Sequence, residues 1–465
     1  MRRSDLAIPA RMSRVAVVAP RARLRETLAQ IAGSGVMELV GKLPPSQGEA
    51  AEALRRLDRR AARPAGLGPL VARERPDLTE LERQGRRDLL EGEAALQRRA
   101  DAAVRHGSFA GYVGWVPAAE LEPLARRIAP AGAAVVELPK PPWAEPPTLL
   151  RPVTIARPFQ PLVETYGAAR YEDIDPTPFA AAAFVFMFGM MFGDAGHGLV
   201  LVLLGLLLRR SRRFGSVQPV WPLVVACGLA GTFFGLLYGE FFGPTGVVPT
   251  LWFDPLEQPI RLLVAALVAG AVLLGISYAI GSVNRWREHG AIAALVAPSG
   301  IAGSAVFVGG ALALVGYARG LDAVTTTGAV LVALGITLLA FGFFAEAGRG
   351  AAAAAQATVE AVDAVVRIGA NAVSFARLAA FGLMHGALTG IVWDGTVALW
   401  SGPLAVAAIA LFVFGNAITF ALEALVAGVQ ALRLEYYELF SRIFAGEGRA
   451  FSPWSIPLAT TEEES

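Results

Sequence analysis

The sequence predicts a mainly α-helical fold. A polytopic membrane bundle of about eight helices, the last two long and tilted, follows a cytoplasmic arm of α/β lobes joined by a helical hairpin. Three observations carry this expectation. The 465-residue chain is 54% hydrophobic, with a mean hydropathy of +0.50, too apolar for a soluble protein of this length. The apolarity is uneven: residues 1–150 are rich in Arg and Glu, whereas residues 179–440 are largely Ala, Leu, Val, Gly and Phe. Within the apolar part, Arg377 interrupts a helical stretch of spanning length. An arginine there stays charged and costs at least a few kcal/mol near the bilayer centre, so it must face protein or a water-filled cavity.

Several function classes are excluded early. No basic patch interleaved with aromatics suggests nucleic acid. Cys227 is the lone cysteine, so the chain has no disulfide framework and no cysteine-based metal site. No cofactor or metal is expected. Lys42 and Lys140 are the two lysines, and the arginine preference reads as genome bias. The first twenty residues have no apolar run long enough for a signal peptide, which predicts a cytoplasmic arm.

In the arm, 14–20 reads as a strand, 21–35 as a helix stopped by glycine and 36–40 as a returning strand. A second such unit runs 107–117, 118–130 and 133–139. Between them, charged helical stretches at 47–63 and 77–105 carry a thin leucine stripe and are split by the Pro/Gly-rich 63–69. This predicts an antiparallel hairpin with a small lobe at each end. It could hold partner subunits, or be an ordinary helical domain. The expected divisions are an arm at 1–150, a linker at 151–178 and a membrane domain at 179–465, with a proline-rich lead-in at 139–152.

Apolar runs of spanning length fall at 179–208, 219–242, 261–283, 292–317, 324–345, 351–393 and 403–432. The basic 209–213 and 284–290, together with Arg349, Arg433 and Arg442, predict cytoplasmic ends, while 243–259 and 393–401 fit the outside. A cytoplasmic arm and a cytoplasmic 209–213 need an even number of crossings between them. Run 179–208 must therefore be two short helices hinged at GDAGHG, 193–198. Run 351–393, as one helix, would extend about 60 Å at 1.5 Å per residue, about twice the hydrocarbon thickness. Its polar residues include Asp363, Arg367, Arg377 and His385, and Arg377 and His385 lie near one face. Glu423, Gln430, Arg433 and Tyr437 form a stripe on the last run. Arg377 is expected opposite Gln430 and Arg433, a donor-rich patch matched to a carboxylate.

Each of these residues has a plainer reading. Glu423 could pair with Arg433 structurally, His385 could be a satisfied core histidine, and Arg433 could snorkel. Asp194 and His197 could form a packing turn with its polar groups met locally. Glu240 is a further intramembrane candidate. Glu360 and Asp363 could line an aqueous channel or sit in the interfacial zone.

These residues carry a resemblance. Segments 186–198 (FMFGMMFGDAGHG), 374–388 (SFARLAAFGLMHGAL), 421–438 (ALEALVAGVQALRLEYYE) and 444–454 (FAGEGRAFSPW) resemble subunit a, or subunit I, of V-type and V/A-type rotary ATPases. Segment 158–179 and the arm resemble that family too. The resemblance implies a membrane stator that couples proton or sodium translocation to ring rotation, in a pump or an ATP synthase. Arg377 would face the carboxylate of a proteolipid c-ring, supported by Arg433 and Gln430. His385 and Glu423 would serve the external half-channel, and Asp363 the cytoplasmic one. Implied partners are the c-ring, peripheral-stalk subunits, a central-stalk cap subunit and, through the stalks, a soluble ATPase head. The implied location is a prokaryotic cell membrane, with both termini cytoplasmic. ATP sites would belong to partners, since no P-loop with its lysine is present. The arm is about half the family's usual length, and RLAAFGLMH lacks an aromatic that often follows the leucine. The alternatives are a secondary ion transporter, which should show internal repeats, and a purely structural anchor.

Overall fold

The computed structural model describes residues 9–60, 68–141, 143–150, 156–211, 215, 218–347, 350–400, 404–444 and 446–459. Arg212, Arg213 and Arg349, and most of the segment 63–69, lie outside the described residues. The chain divides into two compact units: residues 9–150 with 448–465, and residues 151–447 with 1–8.

The first unit is built on a five-stranded sheet. Strand β1 (Met12–Pro20) has the alternating burial of a half-covered strand, and it pairs antiparallel with β4 (Phe109–Pro117) and β5 (Ala134–Glu137). Strands β2 (Glu38–Leu39) and β3 (Val104–His106) add to β4. Helices α1 (Leu24–Ser34) and α5 (Leu121–Ile128) bring Leu28, Ile31, Leu124 and Ile128 into a core with Val15, Val17 and Val116. The two strand–helix–strand units therefore do not close as separate lobes. A strand pair alone is marginally stable, and β1 satisfies both of its edges by joining the two units into one sheet.

Helices α2 (Glu49–Arg60), α3 (Leu78–Gln84) and α4 (Arg87–Asp101) form the charged helical part. The second stretch of the expected hairpin is broken at Gly85, a left-handed cap that ends α3. Leu81, Leu89 and Leu90 supply its small core, and Arg87–Asp58 and Arg56–Glu82 bridge its faces.

Residues 448–459 belong to this first unit, a return the sequence reading did not foresee. Trp454 N–H donates to Met37 O, Ile456 N–H to Ala32 O, and Val71 N–H to Pro457 O, at 2.9–3.2 Å. Ile456 and Ala459 are buried, and Glu38 accepts from the Arg449 guanidinium and the Ser452 N–H.

The second unit is the helical bundle, entered through α6 (Gln160–Tyr166). Among the described residues, six helical segments are long and apolar enough to cross a membrane, and one shorter apolar helix accompanies them. Helices α7 (Thr177–Met191) and α8 (Ala195–Arg210) are the two short helices expected over 179–208, with the break between them at residues 192–194. Helix α9 (Trp221–Tyr238) follows, then α10 (Pro259–Val296), α11 (Ile301–Arg319) and α12 (Asp322–Ala347). The fourth expected run starts too early at 292: those residues finish α10 beyond a kink at Gly290, and the turn into α11 comes at 297–300.

The expected long helix at 351–393 is two helices, α13 (Ala351–Ser374) and α14 (Ala376–Leu399), meeting at Phe375. The fully buried Phe375 ring seats on α10 where Gly270 leaves room; a Cβ there would come within 2.2 Å of the ring. Helix α15 (Ala405–Leu434) passes into a π-helical turn, Glu435–Phe440, and a final short turn α16 (Ser441–Ile443). Leu203, Leu207, Leu229, Phe233, Val268 and Phe341 are among many large apolar side chains left exposed on these helices. That outward apolarity is what a lipid-facing surface requires, and the chain is a multi-pass membrane protein.

Candidate functional site

Two polar centres lie inside the bundle, both on α14. The first is Arg377, in the first turn after the Phe375 junction and near the middle of the apolar span Ala351–Leu399. Its Nη2 donates to Glu438 Oε1 at 2.6 Å. The arginine side chain keeps 24% of its exposure while Glu438 keeps 7%. Arg377 Nε and Glu438 Oε2 are buried without a hydrogen bond.

The sequence reading set Arg377 opposite Gln430 and Arg433. Arg433 is exposed, and Gln430 Oε1 is buried without a hydrogen bond. The partner is Glu438, which the stripe on α15 omitted. That stripe assumes 3.6 residues per turn, and the i→i+5 turn at Glu435–Phe440 displaces later side chains around the axis. Glu435, on the same turn, is fully buried, and neither of its carboxylate oxygens has a partner.

The second centre is a cluster of five residues that the sequence scattered over four segments: Asp194, His197, Glu240, His385 and Glu423. Asp194 ends the hinge in an extended conformation and caps α8, accepting from His197 N–H at 2.8 Å. Its Oδ1 also accepts from Phe242 N–H at 3.0 Å and its Oδ2 from Gly243 N–H at 2.7 Å. Phe242 holds a φ of +52°, the one non-glycine residue with positive φ among those described. That conformation costs about 1–3 kcal/mol, and it turns two backbone donors onto the buried carboxylate. The hinge packs closely enough on α9 that a Cβ at Gly235 would lie 2.0 Å from Ala195 N.

His385 lies two turns along α14 from Arg377 and is buried. Its Nδ1 is bonded to the Glu423 carboxylate. Its Nε2 faces Glu240 Oε2 at 3.5 Å and Asp194 Oδ2 at 3.9 Å. His197 Nδ1 lies 3.9 Å from the same Asp194 oxygen. The ligand atoms of Asp194, His197 and His385 all fall within 4.8 Å of one another. Both His197 nitrogens, His385 Nε2, Glu240 Oε2 and Glu423 Oε1 are buried without a hydrogen bond. Glu423 thus joins His385, not Arg433. Phe192, Phe242 and Phe420 wall the histidines.

Glu360 and Asp363 stand apart from both centres on α13. Glu360 accepts from Gln356, and Asp363 pairs with Arg367 one turn on, both largely exposed.

Below the bundle's first helix, Asp173 is buried and accepts from Arg170 N–H at 3.0 Å. Burial and the neighbouring Glu288 carboxylate push its acid up to about 7. Glu288 is in turn held by Arg285 at 2.9 Å. Buried Asn284 ties this segment to the end of α16, receiving Ile174 N–H and donating to Ile443 O.

Comparison with known proteins fits this architecture. Residues 104–252 match the model of the V-type ATPase 116kDa subunit family. The A-type ATP synthase subunit I of Thermococcus kodakarensis is 29% identical over 369 residues, covering 73% of this chain and 53% of the relative. The Pyrococcus horikoshii subunit I is 27% identical over 400 residues, covering 81% and 58%. That of Archaeoglobus fulgidus is 28% identical over 403 residues, covering 74% and 58%. The chain spans about half the length of the curated relatives it matches. The family match over residues 104–252, the relatives aligned over most of the chain and the helical bundle together make this chain similar to the V-type ATPase 116kDa subunit family and to A-type ATP synthase subunit I.

Proposed function

We propose that the chain is the membrane stator subunit of a rotary ATPase or ATP synthase, lining two ion half-channels beside a ring of proteolipids. The observation that carries this reading is Arg377. It is a permanent cation at the middle of a membrane span, held by one carboxylate and still a quarter exposed. A guanidinium has five N–H donors, so Glu438 leaves capacity for a second, visiting carboxylate. Glu438 is the resident counter-ion that keeps the arginine tolerable in lipid between visits. A ring carboxylate that ionises beside Arg377 is attracted, and it releases when it moves into lipid and must be neutral. The fixed positive charge also bars direct leakage between the half-channels.

The Asp194–His197–Glu240–His385–Glu423 cluster supplies acid and base groups each within 4 Å of a neighbour, the material of an ion path on one side of the arginine. Half-buried Glu360 and exposed Asp363 and Arg367 on α13 serve the cytoplasmic side, and Gln430 and Arg433 flank the ring. The arm at residues 1–150 holds the peripheral-stalk and central-stalk cap subunits, which connect to the soluble ATPase head. Both termini lie in the cytoplasm of a prokaryote. In support, residues 9–150 and 448–459 share one unit, which calls for an even number of crossings between them; the six spanning segments with the short α7 and α8 would supply eight.

Arg377→Ala tests the proposal. The assembled complex should retain ATP hydrolysis and lose ATP-driven ion pumping into vesicles; undiminished pumping overturns it. A secondary transporter is the second reading, suggested by the broken α7–α8 pair. It requires solute uptake by the chain alone, whereas the stator reading requires co-purification with a proteolipid ring.

A further inference from the structure

We propose that Asp194, His197 and His385 form a binding site for a divalent transition metal of the zinc class, with Glu240 beside His385. Two imidazoles and a carboxylate are a ligand set suited to Zn²⁺ with its fourth position open. Ligands about 2.05 Å from a tetrahedral Zn²⁺ lie about 3.3 Å from one another. Here His385 Nε2 is 3.5 Å from Glu240 Oε2 and 3.9 Å from Asp194 Oδ2, and His197 Nδ1 is 3.9 Å from that Asp194 oxygen. The ligand atoms of Asp194, His197 and His385 all lie within 4.8 Å of one another, so they need to draw in by up to about 1.5 Å to reach that spacing.

Three further features make this a built site and not a chance cluster. Both histidines are almost fully buried, and His385 Nε2 and both nitrogens of His197 lack hydrogen bonds. Desolvated lone pairs of this kind are costly to leave unmet. His385 Nδ1 is held by Glu423, which fixes the ring and leaves Nε2 to face the centre. A carboxylate behind a ligating histidine is the usual outer support of a zinc ligand. Asp194 is likewise fixed by His197, Phe242 and Gly243 backbone donors, and its Oδ2, which accepts from Gly243 alone, is the oxygen nearest the two imidazoles. Metal binding stands on this geometry alone and does not require that the cluster conduct ions. If it does conduct, Zn²⁺ would occupy the groups that relay the ion and stop pumping.

The test uses the full chain, expressed with added zinc, purified in detergent and freed of loose metal by desalting. Elemental analysis should find one retained Zn²⁺ per chain, and Co²⁺ loaded in its place should give the intense visible absorption of a tetrahedral ion. His197→Gln and His385→Gln should each lose the bound metal. The chain has four histidines, and the double variant His106→Gln, His289→Gln should keep it. Glu423→Gln retains all three ligands and should weaken Zn²⁺ affinity about 10- to 100-fold. That variant tests the site even where a ligand variant fails to fold. A wild-type chain that retains no metal, a retained ion that survives both histidine substitutions, or an affinity unmoved by Glu423→Gln would each overturn the proposal. Loss of pumping on Arg377→Ala is read separately, so failure here leaves the stator reading standing.

Discussion

Arg377 on α14 donates to Glu438 on the π-helical turn at 2.6 Å, and this is the one ion pair that ties these two elements together in mid-membrane among the described residues. Removing Glu438's charge should therefore act on the arginine. Glu438→Gln is expected to lower stability by about 1–3 kcal/mol, the range for a hydrogen bond to a charged group. It should also strengthen binding of a competing carboxylate at Arg377. Thermal unfolding in detergent measures the first effect, and cross-linking of Arg377-proximal cysteines to a ring subunit measures the second. A variant as stable as the wild type would mean the pair contributes nothing.

The close seat of Phe375 on Gly270 gives a second expectation. Gly270→Val must push the ring at the α13–α14 junction, since even a Cβ would lie 2.2 Å from it. Overpacking of this kind costs about 1–3 kcal/mol. The unfolding temperature should fall, while Gly275→Val on the same helix, with nothing within 4 Å of the added Cβ, should leave it nearly unchanged.

Glu38 anchors residues 449–452 to β2. Glu38→Ala should loosen that return segment by about 1–2 kcal/mol, which is roughly tenfold in amide exchange for Ile456 and Ala459. Exchange followed by mass spectrometry reads this directly. Protection that stays at the wild-type level would assign the docking to the backbone bonds and buried apolar side chains alone.

Asp173 predicts a pH dependence. Its folded value, about 7, lies above the ordinary 3.8, so the folded chain binds more protons than the unfolded chain between those limits. Stability from this group is greatest at the acid end and is lost as pH rises toward and through 7. Asp173→Asn should remove that slope. It should be more stable than wild type at pH 8 and indistinguishable near pH 4, by denaturant titration at both values. The amide can still accept the Arg170 N–H, so local geometry is kept. The opposite order at pH 8 would show that Arg285 and Arg170 outweigh Glu288 at this carboxylate.

Much of the bundle was legible because lipid imposes a coarse code. The broken first span followed from the basic residues after 208 and from the glycines at 193–198, and the pair α7 and α8 meets at that hinge. The residues of the buried cluster could be named, since charged groups in apolar helices have few reasons to be there. Their pairing could not. Glu423 selects His385 through a tertiary approach of α14 and α15 that no stripe on one helix reveals. Glu438 escaped notice because a π turn breaks the arithmetic used to place it. In the arm, local strand signals were sound, but the register Met12↔Pro117 joins residues more than a hundred apart, so one sheet looked like two. The return of 448–459 had no periodic signal: it docks by backbone bonds and single apolar side chains.

That return has a consequence for biosynthesis. Val71 and Met37, made early, receive their backbone partners only after residues 151–447 have been translated and threaded into the bilayer. The arm cannot reach its finished state during synthesis, and a ribosome that stalls within the bundle leaves an open edge around Ala32, Met37 and Val71 for proteases to find. Completion of the first-made part thus waits on residues 448–459, an order written into the chain.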